Sequence, residues 1–225
     1  MPRRDAESSR LIRLPIFPLP NVVFFPRTRL PLHVFEPRYR RMVTDALGGN
    51  RLIGMILLRP GWERDYYQTP EVFTTGSMGL IAEHRLLEGG EYDIVLEGSD
   101  RYQIVRFVQD APYRVAQVRL LEETPPGREE GEEIAAELML SFQELSEAAS
   151  PVLALDVLEK LDFSTLVHSI CSMINLSVYD RQSLLERESL KSRAESLRAV
   201  LRRHIAEKRF TARYRHLKPQ DPSSN

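Results

Sequence analysis

The segment from residue 14 to residue 43, LPIFPLPNVVFFPRTRLPLHVFEPRYRRMV, places six prolines among long apolar runs. Each proline lacks a backbone N–H, so it interrupts a helix interior and leaves a gap in the hydrogen bonding of a central strand. A segment with this proline spacing therefore predicts edge strands, bends and turns.

The residues up to about Glu123 favour β-structure. Five stretches are rich in Val, Ile, Leu and Tyr, and several alternate apolar with polar residues as half-buried strands do: 51–58, 79–87, 92–98, 102–108 and 113–122. Short turns separate these stretches, which predicts a barrel or folded sheet rather than alternating strands and helices. One helix interrupts this half, beginning at Pro37 and ending at Gly48 and Gly49.

The second half of the chain predicts helices. A linker at 124–131 holds two prolines and two glycines, and apolar residues at helical spacing then predict a helical bundle over 132–209. Asp180 is expected to cap a long last helix that runs to about Arg209. The tail at 210–225 is expected to be disordered. Strands followed by helices indicate an α+β fold.

Composition limits the function classes. The chain has 225 residues, of which 42% are hydrophobic and 28% charged, and its net charge of −1 favours neither nucleic acid nor membrane as a partner. The single cysteine, Cys171, excludes an internal disulfide and fits a reducing compartment. Neither a secretory signal nor an apolar run of bilayer length is recognisable, so we expect a cytoplasmic protein.

The opening motifs, LPIFPLPNVVFFP at 14–26 and LPLHVFEPRYRRMV at 30–43, closely resemble the start of the Lon N-terminal domain, the substrate-recognition module of ATP-dependent Lon proteases. The resemblance continues over 76–107 and 112–123, where Gly98, Arg101 and Tyr102 hold the family's Gly-x-x-Arg-aromatic step. It covers most of residues 11 to about 208. It implies a PUA-like β pseudo-barrel of about six strands with one inserted helix over 11–123, followed by the helical bundle.

The resemblance does not imply catalysis by this chain. The sequence contains no G-x-x-x-x-G-K-[ST] motif for nucleotide phosphates and no Ser–Lys peptidase domain, so we expect a free-standing, non-catalytic Lon-domain protein that needs neither cofactor nor metal. The family implies unfolded or extended polypeptides as partners, with a protease or another protein as a further candidate. The oligomeric state is left open.

Two groups of residues are candidates for binding polypeptides. The first group occupies an early turn and consists of Phe24, Phe25 and Pro26. The second group lies among charged residues in a long loop at 59–73 and consists of Trp62, Tyr66 and Tyr67. Exposed aromatic residues near sheet edges can capture extended chains. The loop at 59–73 has two equal interpretations: an exposed recognition surface, or a lid that folds back over the barrel.

Six residues of the family motif are assigned structural roles: Phe35, Glu36, Arg38, Tyr39, Gly98 and Arg101. We expect Phe35 to be a core residue that links a strand to the helix after it. Glu36 and Arg38 are expected to organise this corner, with Glu36 or its neighbour paired to Arg101.

Three other residues invite a chemical interpretation. His168 and Cys171 lie three apart on a predicted helix, but the apolar residues around them favour core packing over a nucleophile or a metal site. His33 is expected to be a strand histidine with a satisfied hydrogen bond.

An alternative function is nucleic-acid binding, since PUA-like barrels elsewhere bind RNA. On an ideal last helix, four cations fall within roughly 40° of one another and could follow phosphates: Lys191, Arg198, Arg202 and Arg209. A solvated helix face explains the same pattern, and the near-neutral strand half lacks a basic surface. We therefore rank nucleic acid below polypeptide as the partner.

Overall fold

The computed structural model describes residues 11–146 and 157–214. Its strands are β1 (Ile12–Leu19), β2 (Arg29–Val34), β3 (Leu52–Leu57), β4 (Thr75–Leu86), β5 (Tyr92–Gln109) and β6 (Arg114–Leu121). Its helices are α1 (Pro37–Leu47), α2 (Arg128–Ser146), α3 (Phe163–Met173), α4 (Val178–Leu185) and α5 (Leu190–Tyr214), and a single 3₁₀ turn spans Trp62–Arg64.

Five of the strands close into a ring in which β1 pairs with β3 and β6, β4 with β3 and β5, and β5 with β6. The β1–β3 pair is parallel and the other pairs are antiparallel. Strand β2 pairs with the first part of β5 outside the ring. Together with α1 between β2 and β3 and the helices that follow β6, this arrangement confirms the predicted α+β pseudo-barrel.

The prolines of the opening segment fit the ring because β1 is staggered between its neighbours. Its first half, which includes Pro15, is in register with β6, and its second half, which includes Pro18, is in register with β3. Each proline is thus in register with a strand partner on one side only, so its missing N–H leaves no carbonyl group of a second strand without a donor. The prediction of edge strands holds for β2, which contains Pro31, and is wrong for β1, which has a neighbour on each side.

The turn formed by Phe24, Phe25 and Pro26 is buried, so the expectation that it offers an exposed apolar surface is wrong. Arg27 N donates to Gly98 O at 2.8 Å and holds the turn against β5. Gly98 permits this approach, because a Cβ there would lie 2.5 Å from Phe25 O. The turn therefore belongs to the core rather than to the surface.

Arg101 and Arg193 are the largest fully buried side chains among the described residues, and Arg101 has 1% of its surface exposed. Its Nε is paired with Glu123, and its Nη1 donates to Leu185 O and to Arg187 O, both at 2.9 Å. The expected pairing with Glu36 is therefore wrong. His168 is also fully buried, with Nε2 at 3.3 Å from Glu123 Oε2.

The chain forms two compact units, and the division differs from the predicted subdomains. Among the described residues, the sheet unit comprises 11–124 and 168–187, and the helical unit comprises 125–146, 157–167 and 188–214. Residues 168–187 belong with the strands because Arg101 binds the end of α4, and because Gln182 Nε2 donates to Thr75 O at 3.0 Å. A single helical subdomain over 132–209 was expected instead.

Several predicted boundaries also shift. Helix α2 begins at Arg128, inside the predicted linker 124–131. Ser177, whose Oγ accepts from Asp180 N at 3.1 Å, caps the short helix α4, so the predicted cap at Asp180 is wrong and the long helix begins only at Leu190. That helix continues through 210–214, where disorder was expected, while 215–225 lies outside the described residues.

Within the helical unit, α2 packs against α5. The apolar stripe of α5 is buried as its spacing predicts, and it consists of Leu190, Ala194, Leu197, Leu201 and Ile205. Across both units, no helix in the described part of the chain combines the length and the apolar character needed to cross a bilayer.

We expect Arg101→Met to lower the free energy of unfolding by about 3–5 kcal/mol, because Glu123 and the carbonyl groups of Leu185 and Arg187 would remain buried without the cation. Urea unfolding followed by circular dichroism measures this change. Arg106→Met is the matched control, since Arg106 is an exposed arginine on the same strand. Equal unfolding midpoints for the two variants would contradict the role given to Arg101.

Candidate functional site

The loop at 59–73 connects β3 to β4, and backbone hydrogen bonds join its two ends. Arg59 N donates to Glu71 O and Phe73 N to Leu57 O, both at 2.9 Å. Gly61 adopts the left-handed conformation, with φ of 91°, and the 3₁₀ turn begins immediately after it. The loop therefore has a defined backbone path that carries its aromatic residues.

Three aromatic side chains of this loop contact one another and form what we call the aromatic cluster: Trp62, Tyr66 and Tyr67. The ring of Tyr66 lies at the centre, 5.4 Å from that of Trp62 and 5.2 Å from that of Tyr67, both in edge-to-face geometry. Trp62 and Tyr66 are half-buried, whereas Tyr67 is 88% exposed. The cluster thus exposes aromatic surface to solvent, and hydrogen bonds at the ends of the loop fix the backbone that carries it.

The corner between β2 and α1 anchors the cluster. Tyr66 OH donates to Glu36 Oε1 at 2.5 Å, and Arg38 Nη1 donates to Tyr66 O at 3.3 Å. Arg38 Nε in turn donates to Glu36 Oε2 at 3.0 Å, and its guanidinium lies over the rings of Tyr66 and Tyr39. The loop is therefore folded back in one part and exposed in another, since Tyr66 folds back onto the corner while Tyr67 stays exposed.

Phe35 lies at the same corner and is 62% exposed, so its predicted place in the core is wrong. Successive strand residues face opposite sides, and Val34 takes the inward position. The ring of Phe35 stacks instead near His33, at 6.2 Å. His33 Nδ1 is 2.8 Å from Asp93 Oδ1, as a satisfied strand histidine requires. Strand alternation next to a buried valine is the signal that identifies Phe35 as a surface residue.

At this corner Arg38 and Glu36 form an ion pair that carries no net charge. Burial, and then the hydrogen bond to Glu36, raise the pKa of Tyr66 above its ordinary value. Burial tends to lower the pKa of Arg38, but its electrostatic interactions with Tyr39 and Glu36, together with the hydrogen bond to Glu36, outweigh that effect and raise it. Burial also raises the pKa of Tyr39. At neutral pH, Arg38 and Glu36 therefore compensate each other, and the aromatic cluster offers apolar contact rather than net charge.

The cations predicted for nucleic acid are paired with carboxylates of α2. Glu130, Glu137 and Glu144 recur every seven residues and so follow one side of that helix. Their partners on α5 are Lys191 for Glu130, Arg198 and Arg202 for Glu137, and Arg209 for Glu144. Helix packing accounts for this stripe, and its positive charge is largely neutralised.

The described residues contain no group of three or more His, Cys, Asp or Glu side chains arranged to hold a metal ion. His168 and Cys171, the pair considered for chemistry, are fully buried among core residues.

Comparison with known proteins identifies the class of protein. Residues 13–203 match the ATP-dependent protease La (LON) substrate-binding domain, and the chain belongs to this family. It is 29% identical to Lon protease 1 of Herpetosiphon aurantiacus, over 84% of this chain and 24% of that protein. It is 31% identical to Lon protease 2 of Myxococcus xanthus, over 84% of this chain and 23% of that protein. The chain thus spans about a quarter of the length of these curated relatives.

Two solved structures share the architecture. The Lon N-terminal domain protein from Xanthomonas campestris superposes with a TM-score of 0.61 at 25% identity, covering 84% of this chain and 98% of that one. The N-terminal domain of the Lon protease of the Mycobacterium avium complex superposes with a TM-score of 0.70, covering 86% of this chain and 100% of that one. The latter likeness, at 16% identity, shows the fold alone.

We expect Tyr66→Phe to loosen the aromatic cluster, because the substitution keeps the ring and removes only the hydrogen bond to Glu36. Trp62 is the only tryptophan, so a red-shifted emission and easier quenching by acrylamide would report the change. In the wild-type protein the same release should occur as pH rises through the raised pKa of Tyr66, since the ionised phenol cannot donate to Glu36. Identical emission in the two proteins at pH 7 would contradict this anchoring.

We expect little binding of single-stranded RNA by the wild-type chain, because carboxylates of α2 already neutralise the cations of α5. The variant Glu130→Gln with Glu137→Gln and Glu144→Gln should bind more tightly, with a salt slope of about 0.7 per phosphate contacted. Titration at low and at moderate salt measures both affinity and slope. Tight, steeply salt-dependent binding by the wild-type protein, lost on Arg198→Glu with Arg202→Glu, would restore the nucleic-acid interpretation.

Proposed function

We propose that this chain is a non-catalytic recognition module that binds unfolded or extended polypeptides, and that the aromatic cluster with Phe35 is its contact surface. The observation that carries the proposal is the exposure of Tyr67 and Phe35 around a corner whose backbone and side chains are already held. No catalytic step is assigned to these residues.

The physical argument is one of preorganisation. A bound chain would bury the rings of Tyr67 and Phe35, which contribute apolar contact and favourable aromatic geometry. The contacts of Tyr66 with Glu36 and with Trp62 already restrict the loop, so binding needs to order little of the protein. Because Glu36 neutralises Arg38, the aromatic surface itself carries no net charge. It can therefore contact bound polypeptides of many different sequences, as recognition of unfolded chains requires.

The family supports the same class of partner. Its description as a substrate-binding domain of an ATP-dependent protease indicates that polypeptides are what such domains recognise. Partnership with a protease would fit the same description and belongs to this proposal.

Side-chain contact is a better basis for capture than strand addition. Among the described residues β2 pairs only with β5, so it offers a free edge. Pro31 lies in the middle of this edge strand, where a residue without an N–H interrupts the row of donors that a guest strand would need. We therefore assign recognition to the aromatic cluster rather than to the backbone of β2.

We expect fluorescein-labelled β-casein, an unfolded polypeptide, to bind the wild-type chain, and Trp62→Ala with Tyr67→Ala to weaken binding by about tenfold or more. Fluorescence anisotropy of the casein label measures this affinity without relying on Trp62. The matched control is Leu140→Ala with Phe210→Ala, which removes two exposed apolar side chains of the helical unit and should leave the affinity unchanged. The casein should remain intact on a gel, with or without ATP.

The outcomes separate the parts of the proposal. Absence of casein binding at high micromolar protein would reject polypeptide recognition. Equal affinity of the Trp62/Tyr67 variant, with an unchanged thermal melt, would reject only the choice of surface. Turnover of ATP or casein that is abolished by a point substitution in this chain would reject its non-catalytic character.

A further inference from the structure

A hollow beneath the aromatic cluster brings two arginines together. Its walls include Tyr66 and Gln68 from the loop, Arg38 and Tyr39 from α1, and Arg114 from the start of β6. The enclosed space measures about 20 Å³, room for one water molecule or one oxygen of similar size. Through Tyr66 the hollow adjoins the aromatic cluster.

Both arginines that line this hollow carry a buried guanidinium nitrogen without a hydrogen-bond acceptor among the described residues. The two nitrogens are Arg38 Nη2 and Arg114 Nε. Arg38 Nη2 lies 2.9 Å from Glu36 Oε2, but outside hydrogen-bonding geometry. Arg114 Nε lies 3.5 Å from Asp110 Oδ1, which is an ion pair rather than a hydrogen bond. Buried donors of this kind normally find an acceptor.

The side chain of Arg114 is fixed by its other contacts. Its Nη1 donates to Pro70 O at 2.9 Å, and its guanidinium lies 3.5 Å from the centre of the Phe107 ring. Only 13% of the side chain is exposed, whereas its partner Asp110 is 58% exposed. Burial accordingly lowers the pKa of Arg114, and Asp110 offsets only part of that effect. The hollow thus holds a desolvated cation with a weak, solvent-facing counter-ion.

We propose that this hollow binds a carboxylate oxygen of the captured polypeptide, supplied by its C-terminus or by an acidic side chain. The proposal rests on the polypeptide-binding function proposed above and adds a chemical preference to it. A carboxylate oxygen accepts hydrogen bonds from two guanidinium groups at once and compensates the charge of Arg114, which a neutral amide oxygen does only weakly. The residues before or after the carboxylate would then lie on the aromatic cluster.

Fluorescein-labelled twelve-residue peptides containing two Phe and one Leu test this preference. Three forms differ only in charge: a free C-terminus with an internal Asn, an amidated C-terminus with an internal Asp, and an amidated C-terminus with the Asn. We expect each carboxylate that enters the hollow to tighten binding by about tenfold over the third form, as a charge-assisted hydrogen bond would. Comparison of the first two forms identifies whether the terminus, the side chain or both are accepted.

Two substitutions move the preference in opposite directions. Arg114→Gln should remove the difference between acid and amide peptides, while the exposed control Arg106→Gln should retain it. Asp110→Asn removes the competing counter-ion and should tighten binding of the acid peptides severalfold without affecting the amide peptide. A gain of this kind cannot arise from unfolding, so the test remains decisive even if Arg114→Gln destabilises the loop.

The results distinguish this proposal from the one on which it rests. Equal affinities for all three peptides, with casein still bound through Trp62 and Tyr67, would mean that water occupies the hollow and would reject the carboxylate preference alone. A preference that Arg114→Gln and Asp110→Asn both leave unchanged would place the carboxylate elsewhere and also reject it. Failure of casein and of every peptide to bind would reject both proposals.

Discussion

The buried charge of Arg101 is the constraint on which the sheet unit depends. A fully buried guanidinium is tolerated only when its charge and its donors are compensated. Glu123, at the end of β6, supplies the charge, and Leu185 and Arg187 supply carbonyl oxygens at the end of α4. The last carbonyl groups of a helix lack partners within it, so the one guanidinium group of Arg101 satisfies both a carboxylate and a helix end. This explains why residues 168–187 belong with strands that lie far from them in sequence.

Closure of the ring depends on strands that change partners along their length. The first part of β5 pairs with β2 and β4, and its last part pairs with β6. Irregular register between β5 and β6 occurs near Ile104 and Phe107, and bulges of this kind bend a strand and increase its twist. Strand β1 changes partner at Ile16. Prolines that would block an ordinary central strand are therefore compatible with a closed ring.

Local patterns in the sequence predicted most of the strand positions, the helix that begins at Pro37 and the buried stripe of α5, because each depends on residues close together in the chain. The turn expected between 92–98 and 102–108 is wrong, because both stretches belong to the single strand β5. Partner choice over long separations could not be obtained in this way. Arg101 binds residues 22, 84 and 86 positions away, and Tyr66 binds Glu36 across 30 positions. The exposure of Phe35 could have been predicted, since Val34 occupies the inward side of β2. Arg114 carried no local signal, and only the fold brings it near Arg38.

Glu36 links the two parts of the proposed recognition surface. One of its oxygens accepts from Tyr66 and orients the aromatic cluster, and the other accepts from Arg38 and orients a guanidinium at the hollow. The same carboxylate therefore fixes an apolar contact and a charged donor before any ligand arrives. Arg114, which binds Pro70 O at the other end of the loop, fixes the second donor in the same way. A guest polypeptide would meet groups that need little reorganisation, and an acidic group beside an apolar residue would satisfy both kinds of contact at once.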